Sequence, residues 1–169
     1  ADATAFISLL FGALFLWISA PNWPPAEILG VDPLPALVAA AVLVISAWTG
    51  HRAVQAGPGA ASLLLLNMVC QLVAIAIFGW LLLLVWPQAQ AHGAGASIFV
   101  VIAFATLHNS IGVVLASFGL FRISKGYVSR KRLLDLRIGQ LWHGYSAAVG
   151  LTALAFPILL VALVGETSR

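Results

Sequence analysis

The sequence predicts an all-α fold, a polytopic membrane bundle of five transmembrane helices, and three observations carry that prediction. Of 169 residues, 62% are hydrophobic and only 8% charged, with a mean hydropathy of +1.07. A soluble domain carries about 25% charged residues and roughly 45–50% apolar ones, so eight basic and five acidic residues cannot cover a soluble surface of this size. The apolar residues fall into five continuous stretches, and a bilayer crossing takes about 20 such residues. None of the stretches alternates in polarity as a barrel strand does. A water-soluble globular domain, a disordered tail and a nucleic-acid-binding module are thereby excluded. The single cysteine, Cys70, lies inside an apolar run, so no disulfide framework or CxxC metal site is expected; it reads as a small buried or lipid-facing hydrophobe.

Each element follows from its apolar run and its punctuation. The first span covers about 3–20 and stops at Pro21-Asn22-Trp23-Pro24-Pro25, which cannot continue a helix. The second covers about 34–54, opened by Pro33 and Pro35 and closed by His51-Arg52 and Gly57-Pro58-Gly59. The third, 61–86, ends at Pro87; the fourth covers 95–121 and the fifth about 138–164. The chain reads as a single transmembrane domain without internal repeats. No basic segment precedes the first apolar run, which argues against a signal peptide. The absence of an initiator Met leads us to expect a processed product or a piece of a longer polypeptide.

Charge sets the expected orientation. Arg122, Lys125, Arg130, Lys131, Arg132 and Arg137 place six of the eight basic residues between spans four and five, and Arg52 lies on the same side. The loop between spans one and two has Glu27 and Asp32 but no basic residue, and the next outer loop has only His92. The positive-inside rule puts the basic loops in the cytoplasm, the N-terminus inside and the C-terminus outside. The basic cluster reads first as a topology determinant and second as a site for anionic lipid or a partner. Trp23, Trp80 and Trp86 fall toward the outer boundary, where an indole's apolar body and polar N–H are both accommodated.

Polar groups within the spans are costly and therefore informative. They are Asp2, Asn67, Gln71, His108, Asn109, His143 and Ser146. Asn67 and Gln71 are four apart and share a helix face, a pattern suited to interhelical hydrogen bonding rather than to a substrate site. Counted from the inner ends of their spans, His108 lies about 20 Å deep and His143 about 7.5 Å. A difference of about 12 Å argues against one shared metal ion or haem iron. Asp2 reads either as a helix-start residue at the interface or as a buried acid near a proton route. No Ser-His-Asp order, phosphate loop or carboxylate pair within a span appears, so no catalytic residue and no metal site is assigned.

The ordered motifs resemble subunit III of the haem–copper respiratory oxidases. Asp2-Ala3-Thr4-Ala5-Phe6 is similar to the family's Glu-led, Phe-containing helix start, with Asp in place of a membrane-embedded Glu. Trp23-Pro24-Pro25 matches a Trp-Pro-Pro in the next outer loop. The run from Pro35 to Trp48, with Gly50 and His51, resembles a helix ending Trp-Ala-His-His. The strongest match is Gly95, Phe99, Val100, Phe104, Leu107, His108, Ile111 and Gly112; Gln140-Leu141-Trp142-His143 is similar to the last helix's Trp-Tyr-Trp-His. Ala105, Leu136 and Ser146 stand where the family has His, Glu and Asp.

The resemblance covers nearly the whole chain and corresponds to the last five of the family's seven helices. It implies a five-helix subunit III or the C-terminal part of a fused subunit I+III, in a bacterial inner (cytoplasmic) membrane. The implied role is non-catalytic: a subunit of a proton-pumping terminal oxidase that reduces O2 to water, stabilising subunit I and supporting proton uptake. Haem and copper are then expected in subunit I, with subunit II as a further partner, and phospholipid bound to this chain. Asp2, His108 and His143 are the expected proton-related or buried polar residues. His51, Arg52, Trp142, Arg130, Lys131 and Arg132 are the expected lipid or subunit contacts. Rival readings are an independent small transporter or lipid-binding membrane protein, and the homologous accessory subunit of nitric oxide reduction. A transporter is expected to carry broken helices and converging midplane polar groups, which the continuous spans lack.

Overall fold

A computed structural model describes residues 2–19 and 33–167, with side chains as far as 159. It is an all-α bundle of five helices: α1 (Asp2–Ser19), α2 (Pro33–Ala56), α3 (Ala61–Ala91), α4 (Gly93–Ser124) and α5 (Leu134–Thr167). A 3-10 turn over Gly57–Gly59 joins α2 to α3. Among the described residues, four helices (α1 to α4) are long and apolar enough to cross a membrane. Helices α2, α3, α4 and α5 close a ring in which each packs on two neighbours, and α1 docks outside that ring on α4. The expected stop at 21–25, with Trp23, Glu27 and Asp32, lies outside the described residues.

The packing is that of a protein in lipid. Large apolar side chains such as Phe11, Leu83, Val114 and Leu141 point outward, while Ala39, Ala74, Ala105, Ala116 and Ala153 lie at the helix contacts, fully covered. Lipid tails are as apolar as these side chains, so burial of Leu or Phe supplies little drive to associate. Small residues that allow close van der Waals approach, and polar residues that bond across helices, supply it instead. Accordingly the interior holds Ser46, Thr49, Asn67, Gln71, His108, Asn109, His143 and Ser146, all buried, around an apolar centre of Leu43, Phe78 and Ile102.

Helix ends depart from the apolar limits in two places. Helix α3 runs past Pro87 to Ala91. Proline removes its own N–H bond to the preceding turn, but the residues after it keep theirs, and the His92 N–H still closes onto the Gln88 carbonyl at 3.1 Å. Helix α5 starts at Leu134, four residues before the apolar run, because hydropathy marks burial in lipid and not where helical bonds begin. Asp135 sits in its first turn, where the helix dipole favours an anion, and pairs with Arg122 at 2.6 Å.

The α4–α5 connection closes by a Schellman motif. The Gly126 N–H bonds the Ile123 carbonyl and the Tyr127 N–H bonds the Arg122 carbonyl, at 3.0 and 2.9 Å. The motif needs a left-handed residue after the C-cap, and Gly126 supplies φ +70°. Arg122, Arg130, Lys131, Arg132 and Arg137 then surround a cleft of about 420 Å³ at this end of the bundle.

Candidate functional site

Asp2 and His108, 106 residues apart, meet at 2.6 Å (Oδ2 to Nε2). Helix α1 runs antiparallel along the first half of α4: Asp2 faces His108, Phe6 stacks on Phe104 at 5.3 Å, and Ser8, Gly12 and Leu16 follow toward Ala96, Ser97 and Gly93. His108 is the sixteenth of the 32 residues of α4, about 22 Å from its start at Gly93. Asp2 therefore stands midway along α4, not at the end that carries the basic loop. The reason is stagger: α1 is offset along α4, and stagger between helices leaves no trace in hydropathy.

The bonds of His108 fix how many protons the pair holds. Nδ1 lies 2.7 Å from the Phe104 carbonyl, which can only accept, so Nδ1 carries a hydrogen. Nε2 faces a carboxyl oxygen, so one more proton must lie between them, giving either imidazolium with carboxylate or imidazole with carboxylic acid. The pair is thus a one-proton store. Aromatic rings enclose the imidazole: Phe104 stacks on one side at 4.1 Å, Trp142 lies near-parallel at 5.4 Å, and Tyr145 meets it edge-on at 5.5 Å. Trp142 Nε1–H and the Ser146 hydroxyl both donate to the His108 carbonyl, at 3.0 and 3.3 Å.

Access is one-sided. The His108 side chain is 3% exposed and that of Asp2 49%. Asp2 opens into a groove of about 440 Å³ between α1 and α5, walled by Ala3, Ile138, Leu141, Trp142 and Tyr145. The groove lies on the outside of the ring, so Asp2 is open on that side while its carboxyl meets His108 on the other.

His143 occupies a second, separate network. Asn67 Nδ2 donates to the Ser46 carbonyl at 2.6 Å and lies 3.1 and 3.2 Å from the Ser46 and Thr49 hydroxyls. Gln71 Nε2 lies 2.6 Å from Asn67 Oδ1 and 2.7 Å from His143 Nδ1. Asn67 and Gln71 therefore link α2, α3 and α5, as their spacing predicts. Gln71 lies so close to α4 that a Cβ on Gly112 would clash with its Oε1.

These contacts correct the depth estimate for the two histidines. Gln71 touches both Gly112 and His143, so His143 lies level with a residue one turn from His108, about 6 Å away in depth rather than about 12 Å. The longer figure assumed that both apolar runs begin in one plane, whereas α4 projects farther than α5 at that end. The rings still point apart, one to Asp2 and the other to Gln71. No group of three or more His, Cys, Asp or Glu that could hold a metal ion occurs among the described residues.

The remaining expected contacts lie apart from both networks. Exposed His51 bonds to Gln140 and Gln55, at 2.8 and 3.1 Å. Arg52 bonds to Gln55 and lies over Trp48. Arg130, Lys131 and Arg132 border the basic cleft. Tyr145, Ser46 and Thr49 escaped the sequence reading as functional partners. The Ser46–Thr49 spacing of three, one helical face within an apolar run, is the signal that points to the last two. Comparison with family models and with curated proteins finds no match for this chain.

Proposed function

We propose that the chain is a non-catalytic, subunit III-like membrane subunit of a proton-pumping terminal oxidase, and that the Asp2–His108 pair serves proton uptake. The observation that carries the reading is the pair itself: a one-proton store midway along an apolar helix, opening outward from the bundle. Ionisable groups at membrane depth almost always face a bundle interior or a water-filled cavity. A carboxyl half exposed on the outer side of the ring is therefore suited to being covered by another protein subunit, and such a surface fits a subunit better than a free-standing transporter. In this reading subunit I, with its haem and copper, packs over the groove at Asp2, and subunit II completes the complex in a bacterial inner membrane. The basic cleft of Arg130, Lys131 and Arg132 faces the cytoplasm, where it attracts anionic phospholipid headgroups.

The chain's own residues would hold a proton at His108 Nε2, orient the imidazole through Phe104 and Trp142, and screen it from lipid with Tyr145. Two experiments test the proposal. Purification of the native complex should yield a haem protein with an a-, b- or o-type reduced-minus-oxidised spectrum; no co-purifying haem defeats it. Asp2→Ala should cause inactivation during turnover with slower proton uptake, and unchanged turnover stability with unchanged uptake would refute the role given to the pair.

A further inference from the structure

We propose that a small cavity beside His143 is a water-binding site that extends the buried polar network toward the end of the bundle carrying the basic loop. The Ser46 carbonyl can only accept, so the Asn67 group against it is the amide nitrogen, and Oδ1 is an acceptor. Gln71 must then donate to Asn67 through Nε2, whose second hydrogen points at His143 Nδ1. Nδ1 is consequently the accepting nitrogen, and the neutral ring carries its hydrogen on Nε2. That N–H belongs to a residue 1% exposed and meets no acceptor among the described residues.

A buried donor without an acceptor is costly in any protein and more so within lipid. The cavity lies against the same ring, formed where Gly50, Gly119 and Gly139 from α2, α4 and α5 leave out side chains, with Asp135 and Gln140 also on its lining. It admits the centre of a water molecule over about 10 Å³, near the lower limit for one bound water. An all-apolar cavity of this size stays dry; a fixed donor without a partner, with Asp135 and Gln140 among the lining residues, changes that balance. Water there carries the network one step from the imidazole toward Asp135, which Arg122 holds at the bundle end. This site is independent of the Asp2–His108 pair and of the oxidase reading.

The test sets two glycines of α5 against each other in the full chain. A Cβ on Gly139 would stand 3.6 Å from His143 Nε2, filling the space without a backbone clash, whereas one on Gly144 meets nothing within 4 Å. If the cavity were dry, both alanine variants would gain helix propensity and unfold about 2–4 °C higher. If it holds water, Gly144→Ala rises by that amount and Gly139→Ala unfolds below the parent. Selective 15N-histidine NMR of the unmodified chain in lipid nanodiscs supplies the second readout. The expected result is an Nε2–H resonance for His143 with an exchange peak to water, weakened at least tenfold in Gly139→Ala. An Nδ1–H tautomer, no exchange peak to water, or a Gly139→Ala chain as stabilised as Gly144→Ala would overturn the proposal.

Discussion

Gly112→Ala is the sharpest probe of how the bundle is held together. The added methyl carbon would stand 1.9 Å from Gln71 Oε1, 2.7 Å from Cδ and 3.0 Å from Nε2. Gln71 is fully buried and tied at 2.6 Å to Asn67 and 2.7 Å to His143, so it cannot swing aside without losing both bonds. Overpacking a filled core costs about 1–3 kcal/mol, and hydrogen bonds within membrane bundles contribute about 0.6–1.7 kcal/mol each. Ala gains about 1 kcal/mol over Gly in helix propensity. The net expectation is a loss of about 2–4 kcal/mol, read as a shifted midpoint of reversible unfolding in mixed micelles. Gly79→Ala, with nothing within 4 Å of its new Cβ, is the control and should gain about 1 kcal/mol. In a Gln71→Ala background the methyl group finds room, so Gly112→Ala should become neutral or stabilising, with a coupling of about 2 kcal/mol or more. Equal stability of Gly112→Ala and the parent would refute the close contact on which the polar network rests.

Further outcomes follow from other contacts. Asp2→Asn replaces the carboxyl by an amide that can still hydrogen-bond His108 Nε2, so the fold should persist while the shared proton is lost. An unfolding midpoint within about 1 kcal/mol of the parent is the expected readout, and a loss well beyond that would show that the shared proton, not the hydrogen bond, holds α1 on α4. Trp142→Phe removes the 3.0 Å bond to the His108 carbonyl and should cost about 1 kcal/mol, measured by unfolding. Gly126→Ala places a Cβ at φ +70° in open space, so its cost should be the left-handed penalty alone, about 1–2 kcal/mol. Gly126→Asn should recover part of that loss. The Arg122–Asp135 pair is about a third exposed on the arginine side and a quarter on the aspartate side, so a double-mutant cycle should give about 1 kcal/mol or less, falling with salt.

The α class, the five helices and the rough position of eight of their ten ends were legible in the sequence, because a backbone in lipid must satisfy its own hydrogen bonds and leaves long apolar runs as its mark. The shared face of Asn67 and Gln71 was legible for the same kind of reason, since a spacing of four is local geometry. The continuation of α3 past Pro87 was not, because proline's cost is a single missing bond near a helix end. Neither the partner of Gln71 nor that of Asp2 could be read. His143 lies 72 residues from the first and His108 lies 106 from the second.

Composition and periodicity alone determined that this protein is a helical membrane bundle with seven of its eight basic residues gathered at one end. Only the tertiary structure decided the stagger of α1 along α4, the closure of α2 to α5 into a ring, and hence which polar groups touch. In lipid the apolar surfaces are nearly interchangeable, so hydropathy says that a helix is present but not which neighbour it takes or at what height. That choice belongs to close-packed small residues and to a few hydrogen bonds, and these placed Asp2 against His108 and left the His143 ring on a separate network.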